Sequence, residues 1–197
     1  MKELVLLRHF PTRFNNLGLI MGDCIDAEIM NPSLSDFDER SLNKVNTCDV
    51  VYTSPVIRSQ KTARLLFHCP IILDKRIRPR GIGDWAGYSL AQIKEVCPNA
   101  VISKNGRLFY KLTVSPPNAE SIDEVYTRLI SFLEDVLESN YQTVGIVVHS
   151  MLGYVLFSLS NNTPLETATL DYSIDFYKTY SISLGHSLIT KIRNQIR

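Results

Sequence analysis

Apolar and polar positions change period along this chain, and the change separates strands from helices. Leu4–Arg8 opens on the uninterrupted run Leu4-Val5-Leu6-Leu7, the pattern of a strand buried on both faces. Asp49–Thr53, Pro70–Leu73 and Val144–Val148 repeat it. Between these runs the period lengthens. Residues 35–46 put Leu42 and Val45 on one face of a polar helix. Ser54-Pro55 predicts the start of another, with Ser54 as N-cap and Pro55 at the first helical position, running through Ala63, Leu65 and Leu66 to Phe67. Leu90–Val96 predicts a short helix. Ser121 opens a long one, with Glu124 spaced for a capping box and an apolar face of Val125, Leu129, Phe132, Leu133 and Val136. Met151–Leu159 predicts a helix after the fourth strand. Tyr177–Leu184 and Ser187–Ile192 alternate about Gly185-His186, which predicts a terminal hairpin. Residues 11–35 and 74–87 are polar and glycine-bearing, as loops are. Residues 98–120 are ambiguous, with a helix near 104–112 and then a Pro-Pro loop.

Strands interleaved with helices imply an α/β domain with a largely parallel sheet. The length of 197 residues suits one domain spanning 1–197, and no repeat or linker divides it. Apolar residues make up 45% and charged residues 21%, an ordinary globular composition. The net charge of +1 gives no general pull toward nucleic acid or membrane, so an anion site must be built locally. The four cysteines, Cys24, Cys48, Cys69 and Cys97, form no CxxC and no zinc pattern and read as reduced thiols. No run approaches the roughly 18 apolar residues of a membrane span, and no signal-peptide pattern opens the chain. A cytoplasmic protein is the expectation.

In a parallel sheet, ligands bind at the carboxyl ends of the strands. Arg8 and His9 follow the first strand, Ser54, Pro55 and Arg58 the second, and His149 and Ser150 the fourth. Two histidines and two arginines thus leave one sheet edge. That set suits phosphoryl transfer to histidine, because neutral imidazole is a competent nucleophile near neutral pH. Arginine forks match phosphate oxygens, and a helix N-terminus at Ser54–Arg58 would add donors. A second histidine, if protonated, would stabilise charge on the phosphoryl oxygens. No metal or other cofactor is called for.

The motifs resemble a known family. Arg8-His9-Phe10-Pro11-Thr12-Arg13-Phe14-Asn15 is similar to the Arg-His-Gly-x-Thr-x-x-Asn signature of the histidine phosphatases, the phosphoglycerate mutase-like superfamily. Ser54-Pro55-Val56-Ile57-Arg58 with Thr62-Ala63 resembles their Ser-Pro-x-x-Arg-x-x-x-Thr-Ala helix. Gly83-Asp84-Trp85-Ala86-Gly87 resembles their Gly-x-Trp-x-Gly loop, Ala119-Glu120-Ser121 their Gly-Glu-Ser segment, and His149-Ser150 their Ser-His-Gly block. The resemblance implies a three-layer α/β/α fold, His9 as nucleophile, and Arg8, Arg58 and His149 as the phosphate clamp. It adds Asn15 as a phosphate or substrate contact and puts Glu120 near the pocket.

Three positions depart from the pattern. Phe10 stands where the family has glycine, which crowds the loop or puts an aromatic at the pocket mouth. Ser150 replaces the glycine after His149. Pro79 occupies the place of a glutamate that in many members protonates the leaving oxygen. Asp84 and Glu120 are the candidate replacements, unless the substrates are acyl phosphates, phosphohistidine or aryl phosphates, which need little protonation. Arg78 and Arg80 add positive charge that would suit a multiply anionic substrate. The expectation is a phosphatase acting on a small phosphorylated metabolite. Phosphoglycerate mutase-type transfer and a weakly active phosphate-ester binding protein are the alternatives.

Overall fold

The computed structural model describes residues 1–196. In chain order its elements are β1 (Lys2–Arg8), α1 (Arg13–Asn16), α2 (Glu39–Asn46), β2 (Val50–Thr53), α3 (Ile57–Leu66), β3 (Ile71–Leu73), α4 (Leu90–Val96), β4 (Val101–Lys104), β5 (Arg107–Tyr110), α5 (Ile122–Glu138), β6 (Thr143–Val148), α6 (Ser150–Ser160), α7 (Ala168–Asp171), β7 (Thr179–Leu184) and α8 (His186–Arg193). The main sheet has the order β3-β2-β6-β1-β7. Its first four strands run parallel, and β7 closes the β1 edge antiparallel.

Side chains alternate across the sheet, so each central strand feeds two cores. Leu4 and Leu6 of β1 join Val144, Ile146 and Val148 of β6 under α5, α6 and α8. Val5 and Leu7 join Val51 and Val147 on the opposite face, under α2 and α3. The result is the three-layer α/β/α arrangement, with the sheet buried on both sides. The start of α5 has the expected box: Glu124 N–H donates to Ser121 Oγ at 3.1 Å, and Ser121 N–H donates to Glu124 Oε2 at 2.7 Å.

Three expectations are corrected. Residues 104–112 form no helix; β4 and β5 pair antiparallel about Asn105-Gly106. Both turn residues take left-handed φ, 51° and 75°, which suits Asn-Gly and matches the twist of a two-residue hairpin. This hairpin packs Val101 and Leu108 over Trp85 and Ile93. The chain also does not end in a hairpin. Gly185 closes β7 and opens α8, because Leu188, Ile189 and Ile192 recur at helical spacing and bury in the core that α5 shares. Finally, α3 starts at Ile57 rather than at Pro55, and its N-cap residue is Val56. The Ile57 N–H donates to Asp26 Oδ2 at 2.7 Å, so a distant carboxylate caps the helix. Ser54 is thereby free for another partner.

Candidate active site

Strand register decides which side chains meet. Arg8 lies opposite Val148 across the β1–β6 ladder, and the His9 amide donates to the Val148 carbonyl at 3.1 Å. The residue after each of these is a histidine. The two rings lie 5.1 Å apart, tilted by 49°, and both side chains are buried. Across the other side of β6, Thr53 lies opposite Val147, which brings Ser54 Oγ to 2.9 Å from His149 Nε2.

Each ring therefore has one nitrogen committed. His9 Nδ1 is 2.7 Å from the Phe10 carbonyl oxygen. A carbonyl only accepts, so Nδ1 carries the hydrogen and Nε2 keeps the lone pair. His149 Nε2 is held by Ser54, and its Nδ1 is buried without a protein partner. Burial pushes the pKa of His9 down to about 3; the Phe10 carbonyl opposes this, and the charges of Arg8 and Arg58 add to it. His149 also lies well below its ordinary value, first through burial and then through His9 and Arg58. Both shifts favour the neutral imidazole in the free protein.

The arginines are held by their far ends. Arg58 Nη1 donates to the Ile25 carbonyl at 2.9 Å and pairs with Asp26 Oδ1 at 3.3 Å, while Nη2 donates to the Gly22 carbonyl at 2.8 Å. Arg8 Nη1 donates to the Ile174 carbonyl at 3.0 Å, and its guanidinium stacks 3.9 Å from the centre of the Phe176 ring. The Nε of each arginine is buried with no protein partner. With His149 Nδ1, that makes three orphaned polar atoms on residues that line one cavity, a costly arrangement that an anion would relieve.

These groups floor a cavity of about 380 Å³ that Asn15 also lines. Asn15 Oδ1 accepts from the Thr12 amide and hydroxyl, both at 3.0 Å, so its NH₂ end is the one available to a ligand. Phe10 neither crowds the loop nor faces the mouth. It is buried against Phe37 and Tyr177 in the second core, with ring centres 5.8 and 5.5 Å away.

The remaining candidates lie elsewhere or are engaged. Glu120 Oε1 accepts from Arg78 Nη2 at 2.8 Å and Arg128 Nε at 2.7 Å, and its Oε2 accepts from Arg128 Nη2 at 3.0 Å and the Gly81 amide at 3.2 Å. It fastens the loop that carries Pro79 and does not line the cavity. Asp84 is exposed on a short turn, bonded to Asn118 Nδ2 at 3.0 Å, and does not line the cavity either. Arg80 does border it, but is buried and donates to the carbonyls of Glu120 at 2.7 Å and Leu112 at 2.8 Å and to Ser115 Oγ at 2.6 Å. Sequence reading passed over Ser54 as a ring partner, Asp26 as helix cap and Phe176 as a cover for Arg8. Only the hairpin that contributes Leu108, Phe109 and Tyr110 to the cavity had a visible signal, Asn105-Gly106. Among the described residues, no group of three His, Cys, Asp or Glu side chains is placed to hold a metal ion, and no helix is long and apolar enough to cross a membrane.

Comparison with known proteins agrees with this fold. The family model of the histidine phosphatase superfamily (branch 1) matches residues 4–183. Phosphoserine phosphatase 1 of Hydrogenobacter thermophilus is 26% identical over 167 residues, covering 77% of this chain and 72% of its own length. Fructose-2,6-bisphosphatase TIGAR of Xenopus tropicalis is 29% identical over 140 residues, which are 66% of this chain and 48% of that protein. Among solved structures, mycobacterial glucosyl-3-phosphoglycerate phosphatase superposes with a TM-score of 0.72 at 19% identity, covering 93% of this chain and 91% of the other.

Proposed function

Because the chain belongs to the histidine phosphatase superfamily, we propose that it is a phosphoric monoester hydrolase in which His9 Nε2 is the nucleophile. The observation that carries this reading is the His9 ring itself, whose Nδ1–H is spent on the Phe10 carbonyl while Nε2 keeps its lone pair in a buried, cationic pocket. In the first step Nε2 attacks phosphorus, the N–P bond forms and the bond to the leaving oxygen breaks. In the second, water attacks phosphorus, the N–P bond breaks and the imidazole is restored with release of phosphate.

The clamp acts on the transferring group. Arg8 Nε and Arg58 Nε supply charged donors. With the Ser54 hydroxyl donating to His149 Nε2, His149 Nδ1–H is a neutral donor to a phosphoryl oxygen. Ser150 and Met151 begin α6 at the cavity floor, where the first-turn N–H groups have no intrahelical acceptor. That terminus takes the anion-binding role expected of α3, whose own N-terminus is occupied by Asp26. All these donors are fixed before substrate arrives, which is what stabilises developing charge without reorganisation. Glu120 positions the Pro79 loop through Arg128.

The test is to mix the protein with 4-nitrophenyl phosphate, quench within one turnover and assay for acid-labile, base-stable phosphate on the chain. The wild type is expected to carry it and His9→Ala to lack it. Label that persists in His9→Ala would remove the nucleophile from this account.

A further inference from the structure

The cavity beyond the clamp has a composition of its own. Its walls include Leu19, Ile82, Leu90, Leu108, Phe109 and Met151. Among the described residues that line it, none is an aspartate or glutamate. Nearby carboxylates are already engaged: Asp26 with Arg58 and the α3 cap, Asp23 with Arg78 at 3.6 Å, Glu120 with Arg78 and Arg128, and Asp175 with Ser173 and Lys178. Pro79, which has no proton to give, stands in the wall. Of the bordering cations, Arg80 is consumed by carbonyls and a hydroxyl, so Arg8 and Arg58 are the two turned to a ligand.

Resting on the His9 reading, we infer that the natural substrate class is a monoester of a single phosphate with an apolar aromatic alcohol, a phenol. The chemistry of the two ends selects it. Two guanidiniums and a neutral histidine match one dianionic phosphate and leave nothing for a second. A pocket without a carboxylate has no partner for an ammonium such as that of phosphoserine, and burying one there unpaired is costly. The apolar wall offers a ring the burial of its faces. The absence of a carboxylic acid from the lining favours the same class. A phenol, with an acidity of about 10, departs as its anion. An aliphatic alcohol, close to water at roughly 15.7, needs a proton delivered as the bond breaks. In the step itself the P–O bond breaks with its electron pair on the phenolic oxygen, N–P forms at His9, and the phenolate takes its proton from solvent after release.

The experiment compares kcat/KM on four compounds with the intact chain: 4-nitrophenyl phosphate, phenyl phosphate, 2-phenylethyl phosphate and phosphoserine. Phenyl phosphate is expected to exceed both 2-phenylethyl phosphate and phosphoserine by about 10²-fold or more, the usual worth of a general acid. Phenyl phosphate and 2-phenylethyl phosphate share the apolar ring, so equal rates for these two overturn the unprotonated departure. Phosphoserine matching or exceeding phenyl phosphate overturns the apolar class. Trapped label from 4-nitrophenyl phosphate keeps the His9 reading in force whichever ranking is found; no label from that compound overturns the His9 reading first, and this one with it.

Discussion

At the sheet end of the cavity, His9, His149, Ser54 and Arg58 are all buried, and every one of them has a fixed protein partner. Away from these residues, the walls come from residues 18–20 and the β4–β5 hairpin, and they are mostly aliphatic and aromatic. The first region is set by ladder register, because a one-residue slip would turn the strand-end side chains to the other face. The second is set by loops, which tolerate change. On the proposed reading, a phosphoryl-transfer apparatus set by the sheet sits beside a leaving-group pocket set by loops.

Substitutions at the sheet end should cost far more than those at the loop end. His9→Ala should lower kcat by about 10⁴-fold or more, as loss of a nucleophile does. Arg58→Ala should lower kcat/KM by about 10²–10³-fold, since it removes one donor from the transition state and also releases the Gly22 and Ile25 carbonyls. Ser54→Ala should reduce kcat by roughly 10-fold with little change in KM, because the phosphate contacts remain while His149 loses the bond that orients its ring. Leu108→Ala at the loop end should raise KM for phenyl phosphate only several-fold, roughly the worth of one partly lost apolar contact, and leave kcat close to wild type. Steady-state kinetics on phenyl phosphate reads all four. A Leu108 effect on kcat as large as that of Ser54 would break the division between the two regions.

The two regions also differ in how acid acts on them. Unfolded histidines take up protons below about 6.5, whereas folded His9 resists until about 3. Its contribution to stability is intact above 6.5 and declines as pH falls across that window. Denaturant unfolding at pH 7 and pH 5 should show the loss, and His9→Gln should reduce the difference. Activity should not follow an imidazole titration near 6.5 in the free enzyme, because His9 is already neutral there. The acid limb of kcat/KM should instead track the substrate phosphate, with its second ionisation near about 6.

Much of the sheet end was legible in the chain. Apolar runs ending in Arg8-His9 and in His149 name both histidines, since buried parallel strands are contiguous apolar segments and ligands gather at their carboxyl ends. The capping box of Ser121 and Glu124 was equally local. What stayed hidden depends on partners distant in sequence. Ser54 looked like a cap because Ser-Pro opens many helices, yet its hydroxyl meets a ring 95 residues away, and Asp26 caps α3 from 31 residues away. The Glu120 network, which turns a candidate acid into a fastening for the Pro79 loop, is likewise non-local. Alternation in Ser187–Ile192 imitated a strand, although Leu188, Ile189 and Ile192 also fit one helix face, and burial against α5 selects the helix.

The central claim, that His9 attacks through Nε2 because Phe10 holds Nδ1, is tested most directly by phosphorus NMR of the phosphoenzyme trapped from 4-nitrophenyl phosphate and digested to the labelled peptide. The account predicts one phosphohistidine, at residue 9, with phosphorus on Nε2. Phosphorus on Nδ1, or a label on His149 in place of His9, would contradict it.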